Sequence, residues 1–211
     1  MASRTRWLAI PVVIVIVLAG AFAFTDFAAA EHRTNVHDKV VTTSTNEASM
    51  SVPATLHLYV VGSDPARKQV ERTLTAAFGD RGVNVRTVTD LAPEYDRPVV
   101  LVAVREFHLS YSPVSPSATV SLGFEYAPNG NVTRFGQTGV GTDFDAALVD
   151  ERLLNGHRVQ IVLNEENTLF RSGEINLTDA TTGVISWPGY RAHVLETAGE
   201  NAVASLLSDA E

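Results

Sequence analysis

Glu106, His108 and Ser110 follow one another at every second position in the stretch Arg105-Glu106-Phe107-His108-Leu109-Ser110-Tyr111. A carboxylate, an imidazole and a hydroxyl are the groups that general acid–base and nucleophilic catalysis use. On a β-strand these side chains share a face, but neighbours two apart are roughly 6.5–7 Å from each other. That spacing is too long for the direct hydrogen bonds of a nucleophilic triad. The chain has no Gly-x-Ser-x-Gly elbow and no His-Glu-x-x-His helix. Glu106 and His108 are therefore the only catalytic pair to test, and a hydrolase site there requires a concave pocket around them. The competing reading of the same residues is a solvated sheet face.

Glu165-Glu166, flanked by Asn164 and Asn167, offers oxygen ligands for a hard cation, or simply a hairpin tip. Gly136-x-x-Gly139-x-Gly141 precedes a helical stretch and could cradle an anion. It lacks the P-loop lysine and the dinucleotide order of glycines, and Asp143 at the helix start would repel phosphate. His32 and His37, beside Glu31 and Asp38, would need a third fixed ligand and a rigid scaffold to hold a metal. Asn131-Val132-Thr133 and Asn176-Leu177-Thr178 are glycosylation acceptor sequons, and Asn131 has the easier access, next to a turn. No motif calls for a cofactor.

Composition narrows the function classes. The 211 residues contain no cysteine, which excludes disulfides, thiol nucleophiles, thiolate-ligated zinc and an N-terminal lipidated cysteine. Sixteen basic residues stand against 24 acidic ones, a formal net charge of -8 that argues against nucleic acid as a partner. Only Lys39 and Lys68 are lysines. An acidic, lysine-poor surface repels itself at low salt and is screened at molar salt, which suits a halophile; a GC-rich genome would give the same bias.

Arg4 and Arg6 precede an uncharged run from Trp7 to Phe24, and the next charge is Asp26. Continued to Phe27, the run reaches the roughly 20 residues that a membrane-spanning helix needs. The expectation is an anchor within residues 1–30, contacting the membrane through Trp7–Phe27, with the N-terminus cytoplasmic and the remainder outside. Ala28-Ala29-Ala30 also fits a signal-peptide cleavage site, and both readings export the rest of the chain. Residues 31–53 have no apolar period and read as a flexible linker.

The folded domain is expected over 54–211. Leu56–Val61 reads as a strand, Asp64-Pro65 as a helix start with Asp64 as cap, and Ala66, Val70, Leu74, Ala77 and Phe78 as one buried helical face. Val83–Val88 completes a βαβ pattern. Val99–Val104 is uniformly apolar, as in a strand covered on both sides. Val120, Leu122, Phe124 and Tyr126 alternate cleanly, and Asn129-Gly130 predicts a hairpin that pairs Asn131–Phe135 back. A helix is expected from Asp143 to Leu154, with Leu154 inward, and a strand through Val159, Ile161 and Leu163. Glu174–Thr178 and Gly183–Trp187 read as two strands joined by a turn at Asp179–Thr182, and His193–Ser208 as a last helix. The fold class is thus α+β: a transmembrane helix followed by one extracytoplasmic domain, with a mixed or mostly antiparallel sheet and about three helices.

The segment Glu174-Ile175-Asn176-Leu177-Thr178-Asp179-Ala180-Thr181-Thr182-Gly183-Val184-Ile185-Ser186-Trp187, a strand ending in Asp-x-x-Thr-Gly before a second strand and an Ala-rich helix, resembles curli-assembly-like and transport-auxiliary envelope lipoproteins. The resemblance spans about residues 95–208, without the lipidated cysteine of those proteins. It implies an α+β adaptor domain without catalysis and a protein partner in the cell envelope. The reading from sequence is therefore a membrane-anchored extracytoplasmic binding or adaptor domain. The alternatives are an anchored or secreted hydrolase and a small-ligand or cation-binding module.

Overall fold

The computed structural model describes residues 28–44, 51–92, 95–130, 132, 146–156 and 169–208. Six strands and three helices occupy them: β1 (Ala28–Ser44), β2 (Thr55–Val61), α1 (Asp64–Gly79), β3 (Asn84–Val88), β4 (Val99–Ser110), β5 (Ser117–Ala127), α2 (Ala146–Leu154), β6 (Leu169–Ile185) and α3 (Trp187–Leu207). The strands form one mixed sheet in the order β1-β6-β5-β4-β2-β3. β1, β6, β5 and β4 are each antiparallel to their neighbours in that series, while β2 runs parallel to both β3 and β4. The class is α+β.

The βαβ unit forms for the reasons its sequence gives. Pro65 lies in the first turn of α1, and Ala66, Val70, Leu74, Ala77 and Phe78 are all buried against the sheet. Ser63, not Asp64, occupies the N-cap position. Asp64 instead sits in the first turn, paired with Arg67 at 3.0 Å and Lys68 at 3.7 Å. The main core lies between the sheet and α1 with α3, where Leu56, Leu58, Val100, Val102, Leu122 and Leu177 are buried. Burying each such side chain contributes about 1.5–3 kcal/mol. Gly199 of α3 faces Thr73 of α1 so closely that a Cβ there would meet the Thr73 methyl at 2.5 Å. On the opposite face, Leu153 of α2 packs with Val61, Val99, Leu101, Ala103 and Phe170.

Several sequence expectations need correction. The first element of the described fold is a strand, not a transmembrane helix. No helix among the described residues is long and apolar enough to cross a membrane, and Ala28–Ala30, placed in the anchor, open β1. Trp7–Phe27 lies outside the described residues. The first half of the expected linker belongs to the same strand: β1 pairs with β6 over seventeen positions, from Ala28 opposite Ile185 to Ser44 opposite Leu169. Its inward positions are Ala30, His32, Thr34, Val36, Asp38 and Val40, half of them polar, so hydropathy shows no alternation.

The expected turn at Asp179–Thr182 is likewise absent. β6 runs unbroken from Leu169 to Ile185, with Gly183 at φ +115° inside it. The Asp-x-x-Thr-Gly motif therefore lies within a strand, and Asp179 and Thr181 point into the protein. α3 starts six residues earlier than expected, capped by the Ser186 hydroxyl, which accepts from the Gly189 amide at 3.2 Å. Leu154 is exposed and Leu153 buried. The hairpin return predicted over Asn131–Phe135 lies, apart from Val132, outside the described residues. Phe144, Ala147, Leu148, and the strand through Val159, Ile161 and Leu163, lie outside the residues whose side chains are described.

Candidate functional site

β4 carries a bulge between Val104 and Glu106. The extra residue switches the alternation, so that Phe107 and Leu109 continue the helix-covered face that Val100, Val102 and Val104 begin. Glu106, His108 and Ser110 are left on the opposite face, all three exposed. Their cross-strand neighbours are Ser121, Thr119 and Ser117. This is an extended sheet surface, and neither Glu106 nor His108 lines a described cavity. The acid–imidazole row does not form an enclosed site.

At the bulge, Arg105 crosses over β5. Its Nε donates to the Leu153 carbonyl at 3.0 Å, and its guanidinium meets the Glu174 carboxylate at 2.8 Å. Gly123 makes the crossing possible: a Cβ there would lie 2.6 Å from the guanidinium. On the same face, the Tyr59 hydroxyl donates to Asp150 at 2.9 Å and ties β2 to α2. Burial pushes the Asp150 carboxyl up, and the bond from Tyr59 partly offsets this.

Glu165, Glu166, Asn131, the glycines at 136, 139 and 141, and Asp143 lie outside the described residues. Asn176 is exposed but sits in the middle of β6, paired with His37 of β1 and Ser121 of β5, and its amide donates to Glu174 at 2.7 Å. A sequon in a strand paired on both sides is a poor acceptor site compared with a loop.

The most concentrated polar chemistry among the described residues lies where β1, β6 and α3 meet. His32 comes from β1, Asp179 from β6 and His193 from α3, and one ligand atom from each falls within 4.8 Å of the others. The Asp179 side chain is fully shielded from solvent, whereas that of His193 is 27% exposed. Thr34 donates to Asp179 Oδ1 at 2.6 Å, and Thr181 donates to Oδ2 at 2.8 Å. His193 Nε2 lies 3.4 Å from Asp179 Oδ1 and 3.2 Å from the Thr34 hydroxyl. His32 Nδ1 is 2.7 Å from the Thr181 hydroxyl, and the two imidazole rings stack with centroids 3.7 Å apart.

The electrostatics follow from this packing. Burial pushes the Asp179 carboxyl up, but hydrogen bonds from Thr34 and Thr181, with the Tyr190 phenol and His193 close by, outweigh it and hold the carboxyl below its ordinary range. His32 is pushed down, first by burial and then by the adjacent His193, with Asp179 opposing. Burial, followed by the charge of Asp179, drives the Tyr190 phenol up.

Sequence reasoning reaches His32 but places it in a solvated tail. The rigid scaffold and the further ligands it lacks there come from β6 and α3. Asp179 reads as a turn residue, and His193 only as the start of a helix. The available signal is a carboxylate and two hydroxyls at inward positions of β1 and β6, which only strand register reveals.

No family model matches the chain, and no curated protein does. Among solved structures, the chain is similar to a dodecamer of a PelC point variant from Paraburkholderia phytofirmans, at 17% identity and a TM-score of 0.39, covering 83% of this chain and 99% of that one. A second PelC dodecamer from the same organism gives 16% identity and a TM-score of 0.38 over the same shares. A neuraminyllactose-binding hemagglutinin homolog from Helicobacter pylori gives 9% identity and a TM-score of 0.29, covering 75% of this chain and 86% of that one. None of the three is a curli-assembly protein.

Proposed function

We propose that this chain is a non-catalytic binding or adaptor domain that works outside the cytoplasm, in the cell envelope, and takes a protein partner along the outer edge of β1. The observation that carries the reading is that edge. β1 is the terminal strand of the sheet, and no described strand pairs with its outer side. At about 3.4 Å per residue its seventeen residues span roughly 55 Å. A row of backbone donors and acceptors that long is a template for strand addition by a partner. Glu31, Arg33 and Lys39 place charges of both signs on its solvent face, which favours a complementary strand over indiscriminate aggregation. The opposite edge, β3, has only five residues.

The placement in the envelope is supported by Arg4 and Arg6 ahead of the uncharged stretch from Trp7 to Phe24. The hydrolase alternative loses ground because Glu106 and His108 stand on an exposed strand face.

The test is site-specific photo-crosslinking in intact cells. A photoreactive residue is placed at Arg33, Asn35 or His37 of β1 and, as controls, at Asn84 or Arg86 of β3. The expected result is one protein adduct common to the β1 positions and absent from β3. Equal or absent crosslinking at both edges would remove the basis for the proposal.

A further inference from the structure

We propose that His32, Asp179 and His193 form a binding site for a transition-metal dication of the zinc class, which staples the edge strand β1 to β6 and α3. Two imidazoles and one carboxylate suit zinc and its borderline neighbours, whereas calcium and magnesium take oxygen ligands. Tetrahedral zinc with bonds of about 2.0–2.1 Å holds adjacent ligand atoms about 3.4 Å apart. His193 Nε2 and Asp179 Oδ1 are 3.4 Å apart.

The surrounding hydrogen bonds point the same way. The Thr181 hydroxyl spends its proton on Asp179 Oδ2 and the Thr34 hydroxyl on Oδ1, so toward the imidazoles both act as acceptors: His32 Nδ1 donates to Thr181 and, without an ion, His193 Nε2 donates to Thr34, a proton that a bound ion replaces. Neutral His32 therefore carries its lone pair on Nε2. A ligating histidine held through its other ring nitrogen, with the carboxylate in turn bonded by hydroxyls, is the outer-shell arrangement that metal sites use. The three ligands come from three different elements, which fixes them more firmly than one loop could. The partial exposure of His193 leaves a path for the ion and for water as a further ligand. The site does not depend on β1 having a partner, because every ligand belongs to this chain.

The experiment uses the untagged full chain, stripped with chelator and titrated with zinc chloride by calorimetry, and with cobalt chloride followed by visible absorption. The expected result is saturation at one equivalent, with the intense d–d bands of low-coordinate cobalt. His193→Gln, on the partly exposed surface of α3, should weaken zinc at least tenfold. Thr181→Val, which removes the hydrogen bonds behind both His32 and Asp179, should weaken it roughly tenfold. His37→Gln, on the solvent face of β1, should change nothing. Circular dichroism confirms that each variant is folded, and should His32→Gln fail to fold, His193→Gln still decides the matter. Absence of saturable zinc binding, or binding that His193→Gln weakens less than tenfold, would overturn the proposal. So would equal weakening by His37→Gln.

Discussion

Replacing Asp179 by Asn removes one charge and almost no volume, and its cost follows from the geometry of the carboxylate. In metal-free, chelator-containing buffer the carboxylate accepts from Thr34 at 2.6 Å and Thr181 at 2.8 Å, with His193 at 3.4 Å. Hydrogen bonds to a charged group contribute about 1.5–3 kcal/mol each. An amide keeps one acceptor oxygen and turns the other position into a donor, which faces a hydroxyl already aimed at it. One charge-assisted bond is lost and the other becomes neutral, while the neutral group is cheaper to bury. The net expectation is a loss of about 3 kcal/mol at pH 7, or roughly 6–12 °C in Tm for a domain of this size. Urea titration followed by tryptophan fluorescence and circular dichroism measures it. Thr181→Val should lose less on the Asp179→Asn background than alone, because the two share one bond. A loss below about 0.5 kcal/mol, or strict additivity of the pair, would show that the cluster does not hold β1 to the sheet.

Three further outcomes are expected. Gly183→Ala should destabilise by more than about 2 kcal/mol and expose the N-terminal end of β1 to limited proteolysis. The residue holds φ +115°, and a Cβ there would lie 2.6 Å from the Ala29 carbonyl oxygen. Tyr59→Phe should cost about 1.5–3 kcal/mol at pH 7 and less in acid. The bond from Tyr59 lowers the Asp150 carboxyl, so its stabilisation is present where Asp150 is ionised and fades as pH falls and the group protonates; a pH series of urea midpoints reads this. A C-terminal epitope on the full chain should be cut by protease added to cells whose outer barrier is permeabilised and whose inner membrane is intact. A protected epitope would place the domain inside the cytoplasm.

The parts of the fold visible in the sequence are those whose inward positions are uniformly apolar. α1 announces itself through Ala66, Val70, Leu74, Ala77 and Phe78, and β5 through Val120, Leu122, Phe124 and Tyr126, because burial selects hydrocarbon at a regular period. β1 is hidden because His32, Thr34 and Asp38 occupy inward positions. Their polar groups are partnered by Thr181, Asp179, His193 and Ser205, which are more than 140 residues distant in sequence. β6 reads as two strands because Asp, Thr and Gly at 179–183 are ordinary turn formers, and only pairing with β1 on one side and β5 on the other keeps them extended. The candidate site is illegible for the same reason, since its three members lie on three elements brought together only by sheet order. The exposed row at Glu106 and His108 is legible as a pattern, but the bulge and the open face around it are properties of the folded sheet.

The most direct measurement of the central claim is hydrogen–deuterium exchange of the domain, free and bound to the protein that crosslinks to β1. Slowed exchange is expected in the peptides covering Ala28–Ser44, with β3 unchanged. Slowing confined to other elements, with the β1 amides exchanging as fast as in the free domain, would contradict it.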